Sequence, residues 1–232
     1  MSFKYETHMH TKEGSACGRS SGKEMVQAYK AAGYTGVFVT DHFFNGNCAV
    51  DRSLPWEEKV ELFCKGYESA KEEGDKIGLD VFFGFEYCFD AADFLVYNLS
   101  KEWLLQHPDI DKWEPRTAFR EMKNGGGFII HAHPFRERDY INHIHLFPRD
   151  VDGVESVNGG QLLEPWMNER ARIYAMMYEL PITSGSDSHF AGGLPGCGVS
   201  VEKRFEKPGD YLEALRSKEP VLLTGNIKNE EC

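Results

Sequence analysis

No apolar run in the sequence approaches the roughly 20 residues that a bilayer-spanning helix requires. The opening, Met1-Ser2-Phe3-Lys4-Tyr5-Glu6, lacks the apolar stretch of a signal peptide. No Cys-x-x-Cys occurs either. The six cysteines (Cys17, Cys48, Cys64, Cys88, Cys197 and Cys232) are scattered, which fits free thiols in a reducing compartment better than a disulfide framework or a structural zinc module. Positive charge is scarce: 26 Lys and Arg against 37 Asp and Glu leave a net charge of −11, which argues against a partner gripped through nonspecific phosphate contacts along nucleic acid. Nor is there a Pro/Gly/Ser-rich linker or an abrupt change of composition. The expectation is a cytoplasmic protein with no membrane partner, built as one domain over residues 1–232.

What the sequence does have begins at Thr7-His8-Met9-His10-Thr11. Side chains of an extended segment alternate with period two, so His8 and His10 project to one face and can reach one ion. A His-x-His alone is weak evidence, and its weight depends on the later strand ends. Ser21-Gly22-Lys23-Glu24 has the form of a capping box. Met25, Tyr29 and Ala32 then recur at helical spacing, with Val26 and Ala28 widening the face, and Gly33 is placed for a left-handed cap. Thr35 to Thr40 reads as a buried parallel strand running into Asp41-His42.

The unit repeats. A helix is expected from Pro55 to about Gly74, and a third strand from Leu79 to Phe85 ends in Glu86. Asp93 to Leu99 is a shorter strand, followed by a polar insertion and a helix near Arg116 to Lys123. Phe128-Ile129-Ile130 leads to His131-Ala132-His133-Pro134, and Gly153 to Asn158 is a sixth strand. A helix from about Glu164 to Glu179 precedes Pro181 to His189, the seventh strand, which carries Asp187 and His189. A short helix and an apolar piece, Val221-Leu222-Leu223, complete the chain. Such alternation predicts an α/β fold of parallel strands, a TIM-like (β/α)7 barrel whose active site lies at the C-terminal strand ends. His8/His10, Asp41/His42, Glu86, His131/His133 and Asp187/His189 all fall at those ends.

Imidazoles and carboxylates without thiolates suit zinc, manganese or iron, and there are too many donors for one ion. Two or three divalent ions are expected, with Glu86 from the middle of the array as a bridging carboxylate. At this point the residues resemble the polymerase and histidinol phosphatase (PHP) superfamily of metal-dependent phosphoesterases. The likeness is carried by His8-Met9-His10-Thr11, Thr40-Asp41-His42, Gly84-Phe85-Glu86, Ala132-His133-Pro134 and Gly185-Ser186-Asp187-Ser188-His189. The resemblance implies a distorted seven-stranded barrel with a trinuclear site: His8, His10, Glu86 and Asp187 at the first ion, Glu86 and His133 at the second, His42 and His189 at the third. It implies Glu86, Asp187, His189 and Asp41 as the catalytic set, with Asp41 orienting a ligand histidine.

Two departures from the family pattern stand out. The fourth strand offers Asp93 where the family often has a histidine, so Asp93 or the additional His131 is expected to substitute. The first loop reads Lys12-Glu13-Gly14-Ser15-Ala16-Cys17, and Glu13 is the natural donor to the third ion, ahead of Cys17. The expected chemistry is attack on phosphorus by a hydroxide bridging two ions. The expected substrate is a small phosphomonoester or nucleotide, its remaining charge met by Arg136, Arg19 and Lys12, with Arg138 a further candidate. An amidohydrolase-type hydrolase and a non-catalytic metal-binding module remain as alternatives. His143-Ile144-His145 repeats the opening motif but lies in a long connection, and reads as a solvated surface pair.

Overall fold

The computed structural model describes residues 2–225, so Cys232 lies outside the described residues. The capping box forms as expected: Glu24 Oε2 accepts the Ser21 N–H at 2.7 Å, and the Ser21 hydroxyl accepts from the Glu24 N–H. That start fixes α1 (Gly22–Ala31), which follows β1 (Phe3–Met9) and buries Met25, Val26 and Tyr29. Gly33, at φ +81°, supplies the left-handed residue after it. Then come β2 (Gly36–Val39), α2 (Trp56–Phe63), α3 (Lys65–Ile77) and β3 (Asp80–Phe89). The single helix expected from Pro55 is two, broken at Cys64.

Here the parallel pattern is interrupted. β4 (Ala92–Tyr97) pairs antiparallel with β3, and β5 (Phe128–Ala132) pairs antiparallel with β4. Only Asp90 and Ala91 join β3 to β4, and a parallel partner would need a crossover of a dozen or more residues. Both turn residues take positive φ, +47° and +63°. After α4 (Lys101–Gln106) and α5 (Pro115–Asn124), the parallel order resumes with β6 (Gly153–Asn158), α6 (Pro165–Met177) and β7 (Ile182–Gly185). An eighth strand that the sequence reading missed, β8 (Cys197–Val201), runs antiparallel to β1, and β9 (Val221–Thr224) pairs antiparallel with β8 after α7 (Gly209–Ser217).

The described residues therefore form a mixed α/β fold with a nine-stranded sheet in the order β7-β6-β5-β4-β3-β2-β1-β8-β9, in place of seven parallel strands. The sheet curls so that its β7 edge approaches β1: His10, just past β1, donates its N–H to the Ser188 carbonyl at 2.9 Å, beyond the end of β7. β8 escaped notice because glycine inside a strand removes the side chain that sequence patterns rely on. Gly198 sits at φ +127°, where a Cβ would meet the Tyr5 carbonyl at 2.3 Å. Among the described residues no helix is long and apolar enough to cross a membrane.

Alternation divides the core. Tyr5, Phe38, Leu95, Tyr97, Phe128 and Ile130 meet Tyr211 of α7 in one cluster inside the curl. Phe83, Phe85, Phe94, Val96 and Ile129 pack outward against α2, α4 and α5. Each such side chain contributes about 1.5–3 kcal/mol on burial. Met176, Met177 and Tyr178 are exposed at the end of α6, whereas Tyr174 of the same helix is buried.

α1 and α3 cross closely because both carry glycine at the contact. A Cβ on Gly22 would meet the Gly66 carbonyl at 2.2 Å, and one on Gly66 would meet Thr11 Oγ1 at 2.1 Å. Gly66→Ala should therefore force α3 away from the loop after β1 and destabilise the fold by about 1–3 kcal/mol. Urea unfolding checks this, and an unchanged midpoint would contradict the close crossing.

Candidate metal centre

β1 carries an irregularity in its pairing with β2 between Glu6 and Met9. The fully buried Glu6 holds it together: Oε1 accepts the N–H groups of Thr7, His8 and Ser186 at 2.8, 2.8 and 2.9 Å, and Oε2 accepts the Tyr29 hydroxyl at 2.8 Å. Burial pushes its carboxyl up to about 7. The same carboxylate thus sets the end of β1, which bears His8 and His10, against the segment after β7, which bears Asp187. Glu86 comes from β3. His133 and Asp187 lie just past β5 and β7 in the left-handed region, at φ +26° and +52°. Non-glycine residues held there cost of order 1–3 kcal/mol each and persist only where their surroundings demand it.

These side chains converge. His8 Nε2 and His133 Nε2 each lie 3.3 Å from Glu86 Oε1, and His42 Nδ1 lies 2.5 Å from Glu86 Oε2. His10 Nε2 is 3.2 Å from Asp187 Oδ1 and 3.1 Å from His8 Nε2, and its ring stacks on His189 at 4.3 Å. Three donor sets result, each with its ligand atoms within 4.8 Å of one another: His8/Glu86/His133, His8/His10/Asp187 and His10/His42/His189.

Glu86 is fully buried, yet neither of its carboxylate oxygens has a hydrogen-bond partner, and the same holds for His42 Nδ1, whose close contact lacks hydrogen-bond geometry. Buried polar atoms are otherwise almost always partnered. Orphaned carboxylate oxygens facing an orphaned imidazole nitrogen in an N/O donor set are what divalent transition ions would satisfy, so the residues fit such ions.

The electrostatics follow from the crowding. Burial opposes charge on Glu86, but His42, His8 and His133 outweigh it and hold the carboxyl well below its usual range. Asp187 is lowered likewise by His8, His10 and His133. Burial, with Glu86 close by, raises Asp93. His10, buried and flanked by His42 and His189, is held well below the ordinary imidazole range, so its neutral, ligating form is favoured.

Supporting contacts orient the donors. Glu155 on β6 accepts from His8 Nδ1 at 2.9 Å, turning Nε2 toward Glu86, and Asn158 Nδ2 donates to Glu155 Oε2 at 2.8 Å. The sequence reading missed Glu155, which lies inside β6 and not at its end. Asp41 does not reach the cluster directly. Its carboxylate accepts the Thr11 N–H at 2.6 Å and the Thr11 and Ser15 hydroxyls at 2.7 Å, and Ser15 Oγ in turn sits 3.0 Å from His10 Nδ1. It therefore positions His10 through Ser15.

The other expected residues divide. Asp93 lies at the cluster's edge, its Oδ2 4.0 Å from His133 Nε2 and 3.9 Å from the Arg136 guanidinium. Arg136 lines the mouth, a cavity of about 670 Å³ shared with Cys17, Cys88, Asp93 and Tyr140. Arg19 instead lies over the Phe190 ring at 4.4 Å, and Lys12 is exposed; neither lines that cavity. His131 is not brought in. It alternates to the outer face of β5, where it stacks on Phe94 at 4.7 Å beside Tyr174, and burial pulls its imidazole down to about 3. Glu13 turns away to accept the Gly22 N–H at 3.1 Å at the start of α1. Cys17, the less favoured donor of that loop, lies at the mouth beside His189 and His42: burial alone would raise its thiol, but those two imidazoles bring it down to about 6.

This chain resembles known proteins in part of its sequence and in its fold. Residues 165–220 match the family model described as PHP-associated. A two-domain protein from Bacteroides vulgatus, described as containing a predicted PHP-like metal-dependent phosphoesterase, shares the fold at TM-score 0.68 and 18% identity. The alignment covers 97% of this chain and 65% of that one, so this chain spans less than two thirds of its length. A Bifidobacterium adolescentis protein, named as a candidate metal-dependent phosphoesterase, aligns at TM-score 0.55 and 15% identity over 94% of this chain and 96% of its own. An amidohydrolase from Chromobacterium violaceum, with bound sulfate and no metal, aligns at TM-score 0.55 and 15% identity over 91% of this chain and 96% of its own. No curated protein matches the sequence. The family match is confined to residues 165–220, and at these identities the structural matches show a shared fold.

Partners that orient ligand histidines typically change metal affinity 10- to 100-fold when removed. Glu155→Gln is expected to weaken zinc binding by about that factor, read by equilibrium dialysis. Glu13→Gln should leave it unchanged. Equal losses in the two variants would contradict the assignment.

Proposed function

We propose that the chain is a metal-dependent phosphoesterase that hydrolyses a phosphomonoester or small nucleotide at a centre of two or three divalent ions. The observation that carries this reading is Glu86, a buried carboxylate with two unpartnered oxygens ringed by His8, His42 and His133. His8/Glu86/His133, His8/His10/Asp187 and His10/His42/His189 are the sets that would hold the ions; they overlap at His8 and His10, each of which would serve one ion, whereas the two oxygens of Glu86 could serve two. Zinc, manganese or iron bound there supplies an acidified water and positive charge opposite the phosphoryl oxygens.

The rest of the chemistry belongs to the protein's own side chains. Arg136 stands at the mouth with its guanidinium near Asp93, placed to meet a phosphate that reaches the cluster. It is the cation among the cavity-lining residues, which suits a substrate of limited charge rather than a polyanion. A cavity of about 670 Å³ falls within the usual range for small-molecule sites. Asp41 and Glu155 position His10 and His8, and Glu6 keeps the two rim segments together.

The amidohydrolase reading shares the fold and the opening His-x-His, and the assay separates the two. Phosphate release from a panel of phosphomonoesters and nucleotides, with manganese or zinc added, should be metal-dependent and lost on chelation and in Glu86→Ala. Arg136→Ala should cost about 10- to 100-fold in kcat/KM, the scale of a hydrogen bond to a charged group. Cleavage of amides or lactones without phosphate release would overturn the proposal.

A further inference from the structure

The second His-x-His motif lies at the surface, with His143 exposed and His145 half-buried, and it has a carboxylate partner. His143 and His145 lie on the extended connection after β5, and the turn between β3 and β4 brings Asp90 to them. One donor atom from each of Asp90, His143 and His145 lies within 4.8 Å of the other two. His145 Nε2 is 2.7 Å from Asp90 Oδ2, and the two imidazole centroids are 6.0 Å apart at 44°. None of the three belongs to the donor sets around Glu86.

Two further features prepare this arrangement. Asp90 and Ala91 both take positive φ without being glycine, a strained turn that aims the Asp90 carboxylate at the connection. Phe89 meets the His145 ring at 5.5 Å, tilted at 64°, and also contacts Phe147, so apolar packing fixes the imidazole beside Asp90.

We propose that Asp90, His143 and His145 form a separate divalent-metal site, of the zinc class, which clips the connection carrying Arg136 to the β3–β4 turn. Two imidazoles and one carboxylate are a donor set that zinc and neighbouring transition ions take, with water completing the shell. Ions of this kind sit about 2 Å from nitrogen and oxygen donors. Because the ligands are exposed or half-buried, the ion exchanges readily and binds more weakly than at the buried cluster. A small cavity bordered by His143 and His145 on one side and by Asp93, His133 and Arg136 on the other lies between the two sites. Closing the clip holds Arg136 and Asp93 in place at the mouth.

The test uses full-length protein stripped with chelator and titrated with zinc, counting ions per chain by calorimetry and elemental analysis. The double variant His143→Ala/His145→Ala and the single variant Asp90→Ala alter exposed or half-buried side chains, and circular dichroism of the metal-free proteins verifies that each remains folded. Both variants are expected to bind one zinc fewer than wild type, and zinc should protect residues 134–150 from limited proteolysis in wild type alone. Any other outcome, including an unchanged count in either folded variant or equal protection in all three proteins, overturns the site. Because the count is a difference between variants, it is read whether or not the buried cluster proves to be a phosphoesterase centre.

Discussion

A carboxylate taken out of water needs compensation, and Glu86 is the position about which this requirement organises the fold. Its side chain is fully buried and its oxygens have no hydrogen-bond donor. Leaving such a charge uncompensated costs several kcal/mol even after relaxation. The compensation comes from residues on the other elements: His8 on β1, His42 after β2 and His133 after β5. Divalent ions would complete it, which makes metal loading and folded stability linked quantities. The curl of the sheet and the close crossing of α1 and α3 bring those segments to one rim.

The rim is assembled under strain. His133 and Asp187 leave their strands in left-handed conformations, and that break in alternation turns them toward the cluster. A buried framework offsets the cost. Glu6 accepts four hydrogen bonds across the β1 and β7 ends, and Tyr97 donates to the Thr7 carbonyl at 2.7 Å. Strained residues supported in this way keep donors in place before an ion arrives, which lowers the reorganisation that binding requires.

Much of the centre was legible because its residues stand at strand ends, where an α/β sheet displays its chemistry. His8, His10, His42, Glu86, His133, Asp187 and His189 were all marked by position alone. The misses have particular causes. Period two places His131 and His133 on one face only while the strand continues, and the turn at His133 separates them. Glu13 and Cys17 sit in a loop whose path no periodicity describes. Glu155 is an acidic residue in an apolar strand, a signal visible in the sequence but meaningful only once His8 is beside it. The parallel order failed at β3 and β4 because a two-residue connection permits only antiparallel neighbours, and β8 was hidden by its glycine.

The central claim is that the residues around Glu86 hold more than one divalent ion. X-ray diffraction at the zinc absorption edge, from crystals grown with zinc, tests it most directly. The account predicts more than one anomalous peak among His8, His10, His42, Glu86, His133, Asp187 and His189, with at least one peak in contact with Glu86. A cluster with no peak, or with its only peak away from Glu86, would contradict it.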